Sequence, residues 1–255
     1  LSFVFFGFGR ELAVDPGRAR SQAYRLPIHR HWYKATIAHN TVLVDGKSQN
    51  PAAGKLELFE RGADHVAALA SCDAAYRGVR HKRLLLMTDA YLLVLDTLRS
   101  DTNHRFDWLY HNRANRAVCD VATETVNPAE VWAGGEYIRN ARQGATDETV
   151  RVRFEDAETT THLTLAAHKG TVVTTGDGVG AAVTDRVPMA LIGREGKTAC
   201  FAVVLEPVRA GSRPRVAGVH LVPASEAFTV AVDLDGPVDQ IEIRAGDRPA
   251  VSLSR

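Results

Sequence analysis

Cysteine is scarce in this chain: three in 255 residues, Cys72, Cys119 and Cys200, scattered, odd in number and without a Cys-x-x-Cys pair. That excludes a disulfide framework and a thiolate metal knuckle, and leaves the three as small buried hydrophobes. An excess of charge is missing too. Lys and Arg number 31 against 30 Asp and Glu, a net charge of +1. No global field draws the protein to nucleic acid or to a membrane surface, so an anionic partner must be met by a local basic patch. No apolar run approaches the ~18 residues that cross a bilayer. The apolar stretch at residues 1–8 is short and lacks a charged leader and a small-residue cleavage site, so it is not a signal peptide. Leu1 stands in mid-strand and is not Met, and the chain is expected to continue upstream. Amphipathic helices of three or more turns, internal repeats and low-complexity tracts are absent as well.

What is present is a succession of short β-branched, aromatic and alternating runs between turn signals. Strands are expected at residues 2–8, 11–14, 41–44, 55–61, 65–70, 80–88, 91–98, 104–111, 130–138 and 149–155. Six more are expected at 162–167, 189–193, 199–206, 217–222, 228–234 and 240–244. Turns are expected at Asp15-Pro16-Gly17, Asp45-Gly46, Ala133-Gly134-Gly135, Gly176-Asp177-Gly178 and Asp235-Gly236-Pro237. With 45% hydrophobic residues the chain buries a sizeable core. The fold class is all-β, a large antiparallel β-sandwich over residues 1–255, with a smaller β lobe from about residue 176 onward.

Chemistry concentrates between Asp15 and Asn50. A strand ends in Asp15-Pro16-Gly17, an irregular stretch carries Tyr24, His29, His31, Trp32, Tyr33 and Lys34, and His39-Asn40 heads the next strand. Long loops beside a rigid sheet are where sites are built. Asp15 and His39 are of the types that bind zinc, and equally a turn cap and a structural donor. Tyr24 is a site wall or loop packing. His29, His31 and Lys34, with Arg25 and Arg30, suit a carboxylate or sulfate, or form a solvated loop. Lys47, Gln49 and Asn50 border a cleft or make a surface turn. Trp108, Tyr110 and His111 read as core.

Residues 1–17, Tyr24 and the segment Thr36-Ile-Ala-His-Asn-Thr-Val-Leu-Val-Asp-Gly46 closely resemble the heparinase II/III-like polysaccharide lyases, which include oligoalginate lyases. Asp73 and Tyr76, Arg83, Val94-Leu95-Asp96, and Trp108 with His111 extend the likeness to about residue 115. The resemblance implies an α/α toroid of helices ahead of the sandwich, with the active site between them. It implies one Zn2+ held by Asp15 and His39 and by a third ligand, a His in a His-x-His-like motif upstream of Leu1. The main catalytic His and the toroid's own residues also fall upstream, so this chain alone is expected to be inactive. It implies Tyr24 in a catalytic position, His29, His31, Lys34 and Gln49 toward substrate, and β-elimination on a uronic-acid glycan of the heparan sulfate, heparin or alginate type. The implied location is periplasmic or secreted. The implied partners are an acidic polysaccharide and the helical domain of the same protein, with no nucleic acid and no membrane span. A non-catalytic sandwich that grips acidic polysaccharide is the alternative reading. A cupin-like or other all-β metalloenzyme is disfavoured, because no His-x-His or His/Glu cluster with cupin spacing is visible in the chain.

Overall fold

The computed structural model describes residues 1–19, 21–223, 227–244 and 248–255. Among them the chain forms β1 (Phe5–Gly7), β2 (Arg10–Ala13), β3 (Val42–Val44), β4 (Lys55–Arg61), β5 (Val66–Tyr76), β6 (Val79–Met87) and β7 (Leu92–His111). There follow β8 (Arg116–Cys119), β9 (Glu124–Thr125), β10 (Arg139–Thr146), β11 (Val150–Glu155), β12 (Thr159–Leu165), β13 (Thr171–Val179) and β14 (Arg186–Arg209). The tail adds β15 (Val216–Pro223), β16 (Ala227–Leu234), β17 (Val238–Arg244) and β18 (Ala250–Ser254). All pairings are antiparallel, and the expected all-β sandwich is the fold found.

The period-2 pattern drives these elements. In β11 Val150, Val152 and Phe154 are buried while Arg151 and Arg153 are exposed, and β17 alternates Asp239, Ile241 and Ile243 inward with Val238, Gln240 and Glu242 outward. The backbone of the fold is the pair β7 and β14, which run together from Leu92 opposite Leu205 to His111 opposite Met189. Each absorbs two shorter strands expected from sequence. The large sheet runs β4-β5-β6-β7-β14-β12-β11-β8, with β3 added on β7 and β13, β10 and β9 added beyond β14. It therefore forks at β14, whose C-terminal half pairs with β12 and whose N-terminal half pairs with β13. β15-β16-β17-β18 make a separate four-stranded sheet.

Three apolar clusters result. One fills one face of β7 and β14 from end to end, with Phe3, Phe5, Leu12, Trp108, Tyr110, Phe154 and Phe201 in it. On the other face, a second cluster joins Leu93, Leu95 and Val204 to Val230, Val232 and Ile241 of the four-stranded sheet. A third joins Leu109, Met189 and Leu191 to Trp32, Tyr33, Ile37 and Trp132, which come from loops. The Tyr91 hydroxyl, donating to buried Asp239 at 2.7 Å, ties the four-stranded sheet to the large one.

Two sequence expectations fail for physical reasons. Residues 130–138 are not a strand: Pro128 opens one tight 3-10 turn (Pro128–Glu130) and Gly134, at φ +92°, leads into another (Gly135–Tyr137). A Cβ on Gly134 would lie 2.5 Å from the His31 carbonyl oxygen. The turn expected at Gly176-Asp177-Gly178 is instead the interior of β13. The glycines there serve close approach, since a Cβ on Gly178 would meet the Trp32 ring at 2.8 Å. Where a lobe boundary was read near residue 176, the chain is mid-strand, and the separate sheet starts at Val216.

Candidate active site

Asp15 and His39 are brought together by the ends of two segments. Asp15 follows β2, and its Oδ1 accepts from the Gly17 amide at 2.9 Å, an Asx turn that fixes the carboxylate. His39 follows a 3-10 turn, Thr36–Ala38, and enters extended backbone at the head of β3. Its Nδ1 stands 2.7 Å from Asp15 Oδ2, with both side chains 22% exposed. Burial pushes the Asp15 carboxyl up, but the hydrogen bond and charge of His39 and the Gly17 amide outweigh it and hold the acid below its ordinary value.

Behind this pair the interior is polar. Asn40 is fully buried; its Nδ2 donates to the carbonyls of Phe3 and Val14, each at 3.0 Å, and its Oδ1 accepts from the His111 amide at 2.7 Å. Arg83 forms a two-pronged ion pair with Asp96, both contacts 2.8 Å. Trp108 Nε1 donates to the same carboxylate at 2.9 Å and His81 Nε2 lies 2.5 Å from it. Asp96 stays ionised despite complete burial, because the charge of Arg83 and the bond to His81 outweigh burial and hold its pKa far below the usual carboxylate range. His111, read from sequence as core, is buried but next to the pair. Its Nδ1 is 3.2 Å from Asn40 Oδ1, and its Nε2 has no hydrogen-bond partner among the described residues. Burial, then the charge of His39, push its pKa down to about 3, so it is neutral.

Tyr24 is 42% exposed; Arg25 Nε donates to its hydroxyl at 3.1 Å, and the guanidinium groups of Arg18 and Arg25 lie 5.8 and 5.5 Å from its ring centroid. His29, His31 and Lys34 belong to one wide π-type turn, His29–Tyr33, and its cap. The turn is pinned by its own aromatic residues. Trp32 Nε1 donates to Val179 O at 2.8 Å and the Tyr33 hydroxyl to Gly180 O at 2.9 Å. With Trp32 and Tyr33 held inside, the basic side chains of the turn face a cavity of about 420 Å3 that Tyr24 also lines. A second cavity of about 450 Å3, lined by Gly17, Arg18, His29 and Lys34, shares His29 and Lys34 with the first and is bordered by Gly17 of the Asp15 turn. Among the described residues no carboxylate lines either one, and the buried Nδ1 of His29 has no partner. Across His31 lies a cavity of about 580 Å3 with mixed charge, where Lys47 stands with Asp45, Glu130 and Glu136.

Gln49 is placed apart from these cations. Its amide donates to Thr41 Oγ1 at 3.2 Å and Val42 O at 3.3 Å, bracing the His39 strand. Sequence reasoning missed the Arg83–Asp96 pair as a support and His111 as a neighbour of the pair. The signal was the cross-strand placement of Arg83 opposite Asp96, invisible until the register of β6 on β7 is known. Among the described residues no group of three or more His, Cys, Asp or Glu is close enough to hold a metal ion. Asp15 and His39 offer one carboxylate and one imidazole side by side, which fits part of a tetrahedral zinc site and needs a further donor.

The chain belongs to the family described as heparinase II/III-like, C-terminal, whose model matches residues 1–212. An alginate lyase of Stenotrophomonas maltophilia (strain K279a) is 33% identical over 132 residues, 44% of this chain and 18% of that protein. A heparinase III solved with methylated lysines superposes with a TM-score of 0.71 at 14% identity, covering 95% of this chain and 35% of the other. The heparan sulfate lyase HepC of Pedobacter heparinus gives a TM-score of 0.63 at 13% identity, over 99% of this chain and 36% of that one. At such identities the likeness of the solved structures is one of fold. The chain thus spans about a third of their length, and under a fifth of the curated relative.

Proposed function

We propose that this chain is the sandwich part of a polysaccharide lyase that cleaves uronic-acid-containing glycans, of the heparan sulfate, heparin or alginate type, by β-elimination. The observation that carries this reading is the pair of cavities around the His29–Tyr33 turn, lined by Arg18, Arg25, Arg30, Lys34 and two histidines with no carboxylate among the described residues, one of them bordered by Gly17 of the Asp15 turn. Elimination removes the C5 proton of a uronate and expels the O4 group, and the sugar carboxylate must be neutralised while charge builds on it. The guanidinium and ammonium groups supply that neutralisation, and His29 lines both cavities beside them. Tyr24 lines the same space with an O–H of the kind that relays protons.

In this reading one zinc ion, held by Asp15 and His39 and by a further histidine, supplies a fixed positive charge that locks two segments together. A helical domain of the same protein forms the opposite wall and carries the main acid–base residues, and the protein works in the periplasm or outside the cell. The plain binding module is the weaker alternative, since the named relatives are lyases.

The test is to express the complete reading frame and follow the ultraviolet absorbance of new unsaturated uronate ends on alginate, heparan sulfate, heparin, chondroitin and hyaluronan. The expected result is a rise on one polymer that His39→Ala abolishes, with zinc in the purified wild type. A zinc-loaded protein silent on the whole panel would overturn the proposed substrates.

A further inference from the structure

We infer that Asn40, backed by the Arg83–Asp96 ion pair, is a positioning residue that sets the spacing of Asp15 and His39; this rests on the metal reading above. Asn40 follows His39 in the chain, yet its side chain turns into the core, where it is fully buried. One amide group there meets three segments: the stretch at Phe3, the residue before Asp15 and the end of β7 at His111. The arrangement needs two donors and one acceptor on a single short side chain. Aspartate has no donor and leucine has neither, so only the amide satisfies all three backbone groups.

The backbone of Asn40 is held as firmly as its side chain. Its carbonyl accepts from Arg83 Nη1 at 2.6 Å, and the same Nη1 donates to the carbonyl of Leu1 at 2.6 Å. The guanidinium cannot swing away, because Asp96 grips its Nε and Nη2. Asp96 in turn is held by Trp108 and His81, and none of these four side chains is more than 3% exposed. Water therefore offers no substitute for a lost bond. Four carbonyls, those of Leu1, Phe3, Val14 and Asn40, are gathered on two buried side chains. Asp15 and His39 are the chain neighbours of two of them and stand at the rim of the network, partly open to solvent. Slack in the network moves the two donor atoms relative to each other, whereas slack elsewhere in the sandwich does not.

The test uses the complete reading frame with Asn40→Ala, Arg83→Lys and a control, Val230→Ala, in the apolar cluster under the four-stranded sheet. Zinc Kd is measured by chelator competition, the visible spectrum is recorded with Co2+ in place of zinc, and Tm is taken for each protein. Asn40→Ala and Arg83→Lys are expected to weaken zinc by about 10–100-fold and to shift the cobalt bands. Val230→Ala is expected to lower Tm and leave Kd and spectrum as in wild type. Folded network variants that bind zinc as wild type overturn the inference, and so does a control whose Kd falls in step with its Tm. If Asn40→Ala does not fold, Arg83→Lys, which keeps a cation against Asp96 but loses the fork, decides alone. A wild type that binds neither ion overturns the metal reading and this inference together; a wild type that binds while the variants bind equally overturns this inference only.

Discussion

The same face of β7 and β14 is covered in two ways. Near Leu93 and Leu95 it lies under a regular four-stranded sheet, whose inward residues are almost all valine, isoleucine, leucine or phenylalanine. Near Leu109 it lies under irregular loops that plug in Trp32, Tyr33, Ile37 and Trp132. The first cover satisfies its backbone within its own ladder. The second has no ladder, and is fastened by side chains: Trp32 and Tyr33 donate to carbonyls at the end of β13, and Trp132 Nε1 donates to buried Asp107 at 2.9 Å. The cationic cavities lie on the second cover, and Asp15 and His39 stand close to it. An irregular cover anchored by a few large aromatics frees the remaining residues to face outward, which a strand with its fixed alternation cannot do for neighbours such as His29, Arg30 and His31.

The largest expected effect separates the two covers. Trp32→Ala deletes a fully buried indole and its hydrogen bond, and is expected to cost about 3–5 kcal/mol in urea unfolding while abolishing the proposed lyase activity of the complete protein. Val230→Ala is expected to cost about 1.5–3 kcal/mol with activity intact in the surviving folded fraction. Equal losses of activity would erase the distinction.

Acidification comes next. His111 and His81 are kept neutral by burial, both below the ordinary imidazole value. The unfolded chain takes up their protons below about pH 6.5 while the fold refuses them, so stability falls as pH drops from there, by up to ~1.4 kcal/mol per pH unit for each group. Asp96 is depressed, so its contribution is present above the ordinary carboxylate range and is lost as pH falls through it. Urea midpoints from pH 7.5 to pH 5 should therefore decline, and His111→Gln should flatten the slope. A flat wild-type profile would contradict the burial of both rings as neutral groups. The smallest effect is expected on the outer surface of the regular cover. Val222 in β15 is 62% exposed, and Val222→Thr should stay within about 0.5 kcal/mol.

The regular cover was legible in the sequence and the irregular one was not. Phe228, Val230 and Val232 alternate with polar or small residues and announce β16 directly, because a half-buried strand writes its two faces into every second position. β10, with Arg139, Asn140, Arg142, Gln143 and Gly144, carries no such pattern and is held by its ladder to β13 and by cross-strand bonds from Asn140 to Asp177 and Gln143 to Thr174. The Asp15 and His39 segments were recognisable as motifs, but not what stands behind them. Arg83 and Asp96 meet only once β6 is laid on β7, and the indole seat of Trp32 depends on a glycine, Gly178, that in isolation signals a turn. Local pattern reports which side of an element is wet. It is silent on which polar groups are buried together, since that is decided by register across the sheet.

The β7–β14 ladder has one seam. Pairing stops at Arg99 opposite Thr198 and resumes at His104 opposite Gly196, so residues 100–103 bulge outward against a single residue of the partner. Gly196, at φ +152°, takes the bend. The regular cover sits on one side of this seam and the loop cover on the other. The seam is bridged from below: Trp108 Nε1 donates across it to Asp96 at 2.9 Å, and one apolar cluster runs under both sides. The two covers therefore share a single floor, and a change at the loop end is passed to the rungs from Leu92 to Arg99 through that buried carboxylate.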